Sequence, residues 1–463
     1  MKKLCILLSC TLLAACQTTS EQRVSADTAT ENTPKNIIMI VADGMGPAYT
    51  TAYRYFADDP STLNIEQTVF DRHLVGAAST YPAHVSGYVT DSAAAASALA
   101  SGVKTYNGAI SVDVNKKPVE TVLERAKSLD KKTGVVVTSQ INHATPAAYL
   151  SHNVSRRNYN EIADSYFDNG IKADVYLGGG WQYFIRENRN LVKEFQQQGF
   201  YYLDNYQQLS SLPANQPIIG LFADKGLPWA IDDSDKNRLS TMTKAAIKQL
   251  ENEQGYFMLI EASQVDWAGH SNDINSAMAE VADLAATIEY LESYVKQSPD
   301  TLVVLTADHS TGGLTIGANG LYEWRPQLLR EMTQSTQTIA EYFSMNQITA
   351  ESLSKHMANI SISAQEADKI VAAKKNAQEK LNAYLSMSKE QQQSQAKPIV
   401  EKAIYQALNK LIDAKTNTGW TGGGHTAVDV PVYSFGAGHQ QFSGKIDNTD
   451  IAKTMFKFLA HKR

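Results

Sequence analysis

The sequence predicts an α/β fold: a mostly parallel central sheet with helices on both faces and one large helical insertion. Short runs of near-continuous apolar residues at 36–42, 134–138, 174–177, 256–260 and 301–306 suit strands covered on both faces. Helix-period segments lie between them. In 272–297, residues Ile274, Met278, Val281, Ala285, Ile288, Leu291 and Val295 form one apolar stripe, and 118–129 repeats the pattern on a smaller scale. Strands alternating with helices imply layers packed on a parallel sheet. The polar residues supply the third observation, because they cluster just after the apolar runs. Asp43 follows the first run, His143 and Thr145 follow the second, Glu261 follows Ile260, and Asp308-His309 follows Thr306. In open α/β sheets ligands gather at the carboxyl ends of strands, so residues distant in sequence are expected to meet on one sheet edge.

At the amino end, Met1-Lys2-Lys3 and the apolar stretch 4–13 read as a signal peptide, too short to span a bilayer. Leu13-Ala14-Ala15-Cys16 has the form of a lipobox, so residues 1–15 are expected to be removed and Cys16 acylated. Gln17, in place of Asp, points by analogy with lipoprotein sorting to the outer membrane facing the periplasm. Residues 16–35 are rich in Thr, Ser, Glu and Asn and suit a flexible tether. All three cysteines (Cys5, Cys10 and Cys16) lie in or at the end of this signal, so the body is expected to fold without disulfides. A formal charge of −6 offers no footprint for nucleic acid.

The catalytic domain is expected over 36–463. Within it, 321–420 is polar and rich in Gln, Lys, Ala and Ser, with a helical stretch at 366–385, and reads as an insertion before a final strand at 431–436. Tyr322-Glu323-Trp324-Arg325-Pro326 offers anchors of the kind enriched at interfaces, which suggests a homodimer. The glycine runs 178–180 and 422–424 lack phosphate-loop spacing and read as turns.

The chemistry starts at Ser92, which opens a run of small helix formers after Asp91. A helix N-terminus favours negative charge, so a phosphoryl group on Ser92 would be stabilised there; Asp91 and Ser92 are also ordinary capping residues. Glu261, Asp266 and His270 form E-x4-D-x3-H, with the last two able to share a helix face. Singly, Asp266 could cap a helix, His309 could be a core histidine, and His425, after three glycines, could sit in a loop. Together they suit catalytic zinc, whose sites mix His and Asp and keep open positions. Asp43, Thr145 and Glu261 form an all-oxygen set suited to magnesium. Arg156 is the candidate guanidinium for forking onto phosphoryl oxygens.

These segments, Asp43-Gly44-Met45-Gly46, Thr90-Asp91-Ser92-Ala93-Ala94, His143-Ala144-Thr145-Pro146, Glu261…Asp266…His270, Thr306-Ala307-Asp308-His309 and Gly424-His425-Thr426, resemble the alkaline phosphatase motifs in the family's order. The resemblance implies hydrolysis of phosphate monoesters through a phosphoserine on Ser92, with two Zn2+ and one Mg2+ per chain. It implies Asp266, His270 and His425 at the first zinc, and Asp43, Ser92, Asp308 and His309 at the second. Asp43 would bridge to magnesium, shared with Thr145 and Glu261. Arg156 would clamp phosphate, oriented by Asp91. Two positions depart from the best-known bacterial pattern: His143 replaces an aspartate and Trp267 a lysine. Sulfatase chemistry is disfavoured because Ser92 is followed by alanines, not x-Pro-x-Arg. A diesterase normally lacks the third metal site. A zinc-scavenging lipoprotein would leave Ser92 and Arg156 unexplained.

Overall fold

The computed structural model describes residues 33–460; the expected signal peptide and Cys16 lie outside them. Ten strands form the central sheet. In chain order these begin β1 (Asn36–Val41), β2 (Leu74–Ser79), β3 (Lys132–Gln140), β4 (Val175–Gly179) and β5 (Tyr201–Leu203). They continue β6 (Ile218–Leu221), β7 (Tyr256–Glu261) and β8 (Thr301–Thr306). Two small hairpin-like pairings use β9 (Ser310–Thr311), β10 (Leu314–Ile316), β11 (Thr418–Trp420) and β12 (His425–Thr426). The sheet is completed by β13 (Val430–Gly436) and β14 (Gly444–Asp447). The spatial order is β14-β2-β13-β8-β1-β7-β3-β4-β6-β5. Only β13 runs against the others, pairing antiparallel with both β8 and β2.

The central strands β1, β7 and β8 are buried along their whole length, as their unbroken apolar runs require, and helices pack around the sheet. The helix Ile274–Gln297 buries Ile274, Met278, Val281, Ala285, Ile288 and Leu291 along the expected stripe. The polar segment carries helices including Ala364–Leu385 and Val400–Thr416. Trp324 is turned inward, donating from Nε1 to Thr418 Oγ1 at 2.9 Å, while Tyr322 is exposed.

Two expectations need correction. The strand at 431–436 is not the last, because β14 returns to pair in parallel with β2. Gly178 and Gly179 belong to β4 and not to a turn. A Cβ on Gly179 would sit 1.7 Å from the Lys225 carbonyl, so close backbone approach explains the glycine there.

Register places the site. Val41 is paired with Glu261 on one side and Thr306 on the other, and Val137 is level with Glu261. The carboxyl ends of β8, β1, β7 and β3 therefore form one aligned edge.

Candidate active site

That edge collects the predicted residues. Asp43 leaves β1, Glu261 ends β7, Asp308 and His309 follow β8, and all four are fully buried. His143 and Thr145 sit at the start of the helix Ala144–Leu150, beyond β3. Asp266 and His270 lie one turn apart on the helix Gln264–His270, with Asp266 Oδ2 3.3 Å from His270 Nε2. His425 reaches in from β12, which pairs with β9. Gly44 lets the β1 loop approach this helix, since a Cβ there would lie 2.6 Å from Asp266 Cα.

Ser92 is the first residue of the helix Ser92–Ser101, with Asp91 as its N-cap. The Asp91 carboxylate accepts from Ala94 N at 3.0 Å, closing the first turn, and from Gly108 N at 3.0 Å. Its other oxygen accepts from Arg156 Nη1 at 3.1 Å. Ser92 Oγ lies 3.2 Å from His309 Nε2. Arg156 Nη2 lies 3.4 Å from His143 Nε2, which is thereby an acceptor. Burial, and then the Arg156 charge, push His143 down to about 3, so its ring is neutral. Trp267 packs edge-on against His143, with ring centroids 5.9 Å apart.

The histidine tautomers bear on the metal question. His425 Nδ1 faces the Thr90 carbonyl at 2.8 Å and His270 Nδ1 faces the Gly423 carbonyl at 2.7 Å. A carbonyl only accepts, so each Nδ1 carries the proton and each Nε2 is left for a ligand. Thr311 Oγ1 donates to Asp266 Oδ1 at 2.5 Å and so accepts from His309 Nδ1 at 3.2 Å. His309 Nε2 then faces Asp308 Oδ2 at 3.1 Å and Asp43 Oδ1 at 3.5 Å. His425 and His270 point Nε2 at each other across 3.2 Å. Imidazole nitrogens and carboxylates this close need positive charge among them, which a proton on His270 Nε2, facing Asp266, supplies when no metal does.

The protonation pattern reports the same field. Burial, followed by the neighbouring carboxylates of Asp308, Asp266 and Glu261, lifts Asp43 well above its ordinary range. Burial lifts Glu261 to about 7, although hydroxyls of Ser263, Thr145 and Ser139 oppose it. Burial also works against ionised Asp266, but His270, His309 and His425 outweigh it and hold the carboxyl low. The hydrogen bond to Asp266 raises His270 to about 9. Both Asp43 oxygens, Asp308 Oδ2 and Glu261 Oε1 are buried without a hydrogen bond. Buried groups of this kind are ordinarily satisfied, so they point to cations.

Ligand atoms within 4.8 Å of one another define three groups: Asp266, His270 and His425; Asp43, Asp266 and His309; and Asp43, His143 and Glu261. The first two mix nitrogen and oxygen donors, as catalytic zinc prefers. Their residues fit metal binding.

Sequence reasoning missed the supporting residues. Thr311 orients both Asp266 and His309, and Ser139 Oγ donates to Glu261 Oε2 at 3.2 Å. Behind the Gln264–His270 helix, fully buried Arg238 donates to Gln264 Oε1 at 2.8 Å, to Glu280 at 2.9 Å and to Asp283 at 2.7 Å. The position of Thr311, two residues after His309, is the only local signal for any of them.

Comparison with known proteins gives one answer. The alkaline phosphatase family model matches residues 34–461. A Bacillus subtilis protein named alkaline phosphatase 3 is 41% identical over 433 residues, covering 92% of this chain and 89% of that one. Alkaline phosphatase 4 of the same organism is 40% identical over 455 residues, covering 97% and 94%. The solved cold-active alkaline phosphatase of Shewanella sp. superposes with a TM-score of 0.83 at 45% identity, covering 92% of this chain and all of that one. The strand-end constellation, the family match and the structural likeness agree, and the chain belongs to the alkaline phosphatase family.

Proposed function

We propose that phosphomonoester hydrolysis by this enzyme passes through a phosphoseryl group on Ser92, in a site that binds two zinc ions and one magnesium ion. The observation that carries this reading is the convergence of three histidine Nε2 atoms, buried carboxylates and Ser92 Oγ, with Arg156 held alongside. Asp266, His270 and His425 would hold one zinc, and Asp43, Ser92, Asp308 and His309 the other. Asp43, Thr145 and Glu261 would hold magnesium, with His143 beside them. When bound, these ions lower the proton affinity of the serine hydroxyl, receive the leaving oxygen and neutralise the phosphoryl charge.

The chain does the rest. Free N–H groups at the start of the Ser92–Ser101 helix face the phosphoryl group. Arg156 forks onto two non-bridging oxygens, and Asp91 holds it in that orientation. Ser92 Oγ loses its proton and bonds to phosphorus as the ester P–O bond breaks; the alkoxide leaves and takes a proton. Water then loses a proton and attacks phosphorus from the face the alcohol vacated, and the Ser92 Oγ–P bond breaks, Ser92 Oγ taking up a proton as inorganic phosphate is released. Each displacement is in line. Because Ser92 lies on the Asp43–His309 side, the alcohol departs on the Asp266–His270–His425 side.

The experiment is turnover of an aryl phosphate by protein stripped with chelator and reloaded with zinc and magnesium, with metal content measured in parallel. Loss on stripping, with recovery at about two zinc and one magnesium per chain, is expected. Full activity in the stripped protein contradicts the reading.

We also propose that the enzyme is exported and anchored by acyl chains on Cys16, in the outer membrane facing the periplasm, and works as a homodimer. A diacylglyceryl cysteine with N-acylation gives stable anchoring. Cys16→Ala is expected to release or block processing of the protein, and wholly soluble wild type counts against the anchor. Sedimentation as a fully active monomer at micromolar concentration counts against the dimer.

A further inference from the structure

His270 is half exposed, the most open of the clustered side chains, with 41% of its side chain accessible. Its outer edge lines a cavity of about 520 Å³ whose opposite wall is the helix Val400–Thr416. Lys402, Gln406 and Lys410, spaced one turn apart on that helix, line it together with Tyr405 and with Asp413, whose carboxylate accepts from Trp420 Nε1 at 3.0 Å. Lys402, Gln406 and Lys410 also line a groove of about 810 Å³ between this helix and Ala364–Leu385, where Lys369 and Lys380 add two more ammonium groups. Glu366, the acidic residue of that groove, is already paired with Lys415 at 2.7 Å. Lys402 and Lys410 make no ion pair among the described residues.

The wall is fixed relative to the reacting centre. Asn409 Nδ2 donates to the Ser271 carbonyl at 3.0 Å, immediately after His270, and Tyr405 Oη donates to Asp273 Oδ2 at 2.8 Å. A subsite whose distance from the scissile bond is set by two such links can discriminate between leaving groups.

We infer that the cavity between His270 and the Lys402–Lys410 face receives the leaving alcohol, and that it favours phosphomonoesters whose alcohol carries a second anionic group. The inference rests on the phosphatase reading, which puts the departing oxygen on the His270 side. Two ammonium groups without an ion pair, set against the single carboxylate of Asp413 that Trp420 Nε1 already engages, leave this wall positive and meet the second charge of such a substrate. It offers nothing to an ester of a neutral alcohol. Exposed charge interactions are screened, so the effect is moderate and falls with salt.

The test compares kcat/KM for butane-1,4-diol bisphosphate and butyl phosphate with the metal-loaded, full-length enzyme. Lys402→Gln combined with Lys410→Gln is expected to lower the ratio of the two values about tenfold, chiefly through KM for the bisphosphate. The wild-type ratio is expected to fall as salt is raised. Lys375→Gln combined with Lys389→Gln, both exposed and outside the groove, removes the same two charges, serves as the control for net charge and keeps the ratio. An unchanged ratio in the Lys402 and Lys410 variant overturns the inference, as does an equal fall in the control. Loss of binding to anionic phosphatidylglycerol vesicles with no change in ratio also overturns it and assigns the lysine face to a membrane surface. If wild type hydrolyses neither ester, the phosphatase reading fails and the subsite falls with it.

Discussion

Arg238→Met removes the guanidinium from a cluster with no access to water. Arg238 is 0% exposed, and Glu280 and Asp283 beside it are 2% and 1% exposed. Arg238 donates to Asp283 at 2.7 Å, to Glu280 at 2.9 Å and to Gln264 at 2.8 Å. Taking one partner from a buried ion pair costs about 3–5 kcal/mol, because the other charge is stranded. Here three carboxylates lose the guanidinium charge, Asp233 Oδ2 lying 3.7 Å from Arg238 Nε, but Ala230 N still donates to Glu280, Leu239 N to Asp283 and Tyr206 Oη to Asp233. A loss of about 4 kcal/mol at pH 8 is therefore expected from the shift in urea midpoint of the metal-loaded protein.

The pH dependence has a definite sign. Burial lifts Asp283 to about 7 and raises Glu280 even with Arg238 present, and removing the arginine lifts both further. Because Asp283 already stands near 7 in the wild type, the variant's extra penalty from this carboxyl opens mainly as pH rises above that value, where the wild-type group ionises beside Arg238 and the variant's does not. The destabilisation should thus be smaller at pH 5 than at pH 8, and adding Glu280→Gln should recover part of it. Because Gln264 starts the helix that carries Asp266 and His270, turnover should fall as well. A loss under about 1 kcal/mol at pH 8, or the same loss at both pH values, would refute the reasoning.

Two further outcomes follow from the site itself. Glu261→Gln keeps the size and the Ser139 contact but removes a hard anionic ligand, so monoesterase activity should drop far more than diesterase activity. Added magnesium should then stimulate wild type and not the variant, and equal losses on both substrates would remove Glu261 from the third metal site. Asp91→Ala should cost about 1 kcal/mol through the lost helix cap, whereas Asp91→Asn retains most of the cap. Both should weaken inhibition by inorganic phosphate about tenfold by freeing Arg156, and an Asp91→Asn enzyme with wild-type phosphate affinity would show that Asp91 does not orient it.

The sheet's centre is legible in the sequence because it is buried on both faces: the apolar run 301–306 coincides with β8, and 36–42 and 256–260 match β1 and β7 to within one residue. The edges are not. The β2 sequence Leu-Val-Gly-Ala-Ala-Ser is small and half-buried, and β14 is four residues with two exposed, so neither carries an apolar signature. β6 is apolar but only four residues long. The candidate residues that meet at this edge are visible in the sequence because strand ends concentrate them and each is a residue type with its own chemistry. Thr311, Ser139 and Arg238 act through neighbours brought close by the fold, and no spacing in the chain announces such contacts.

The central claim is that Ser92 carries the phosphoryl group between the two displacements. Rapid acid quench of the metal-loaded enzyme turning over a 32P-labelled monoester, followed by peptide mapping, measures this directly. Label on the peptide containing Ser92, lost in Ser92→Ala along with several orders of magnitude in turnover, is the predicted result. An unlabelled Ser92 in an enzyme at full turnover, with Ser92→Ala close to wild type, would contradict the account.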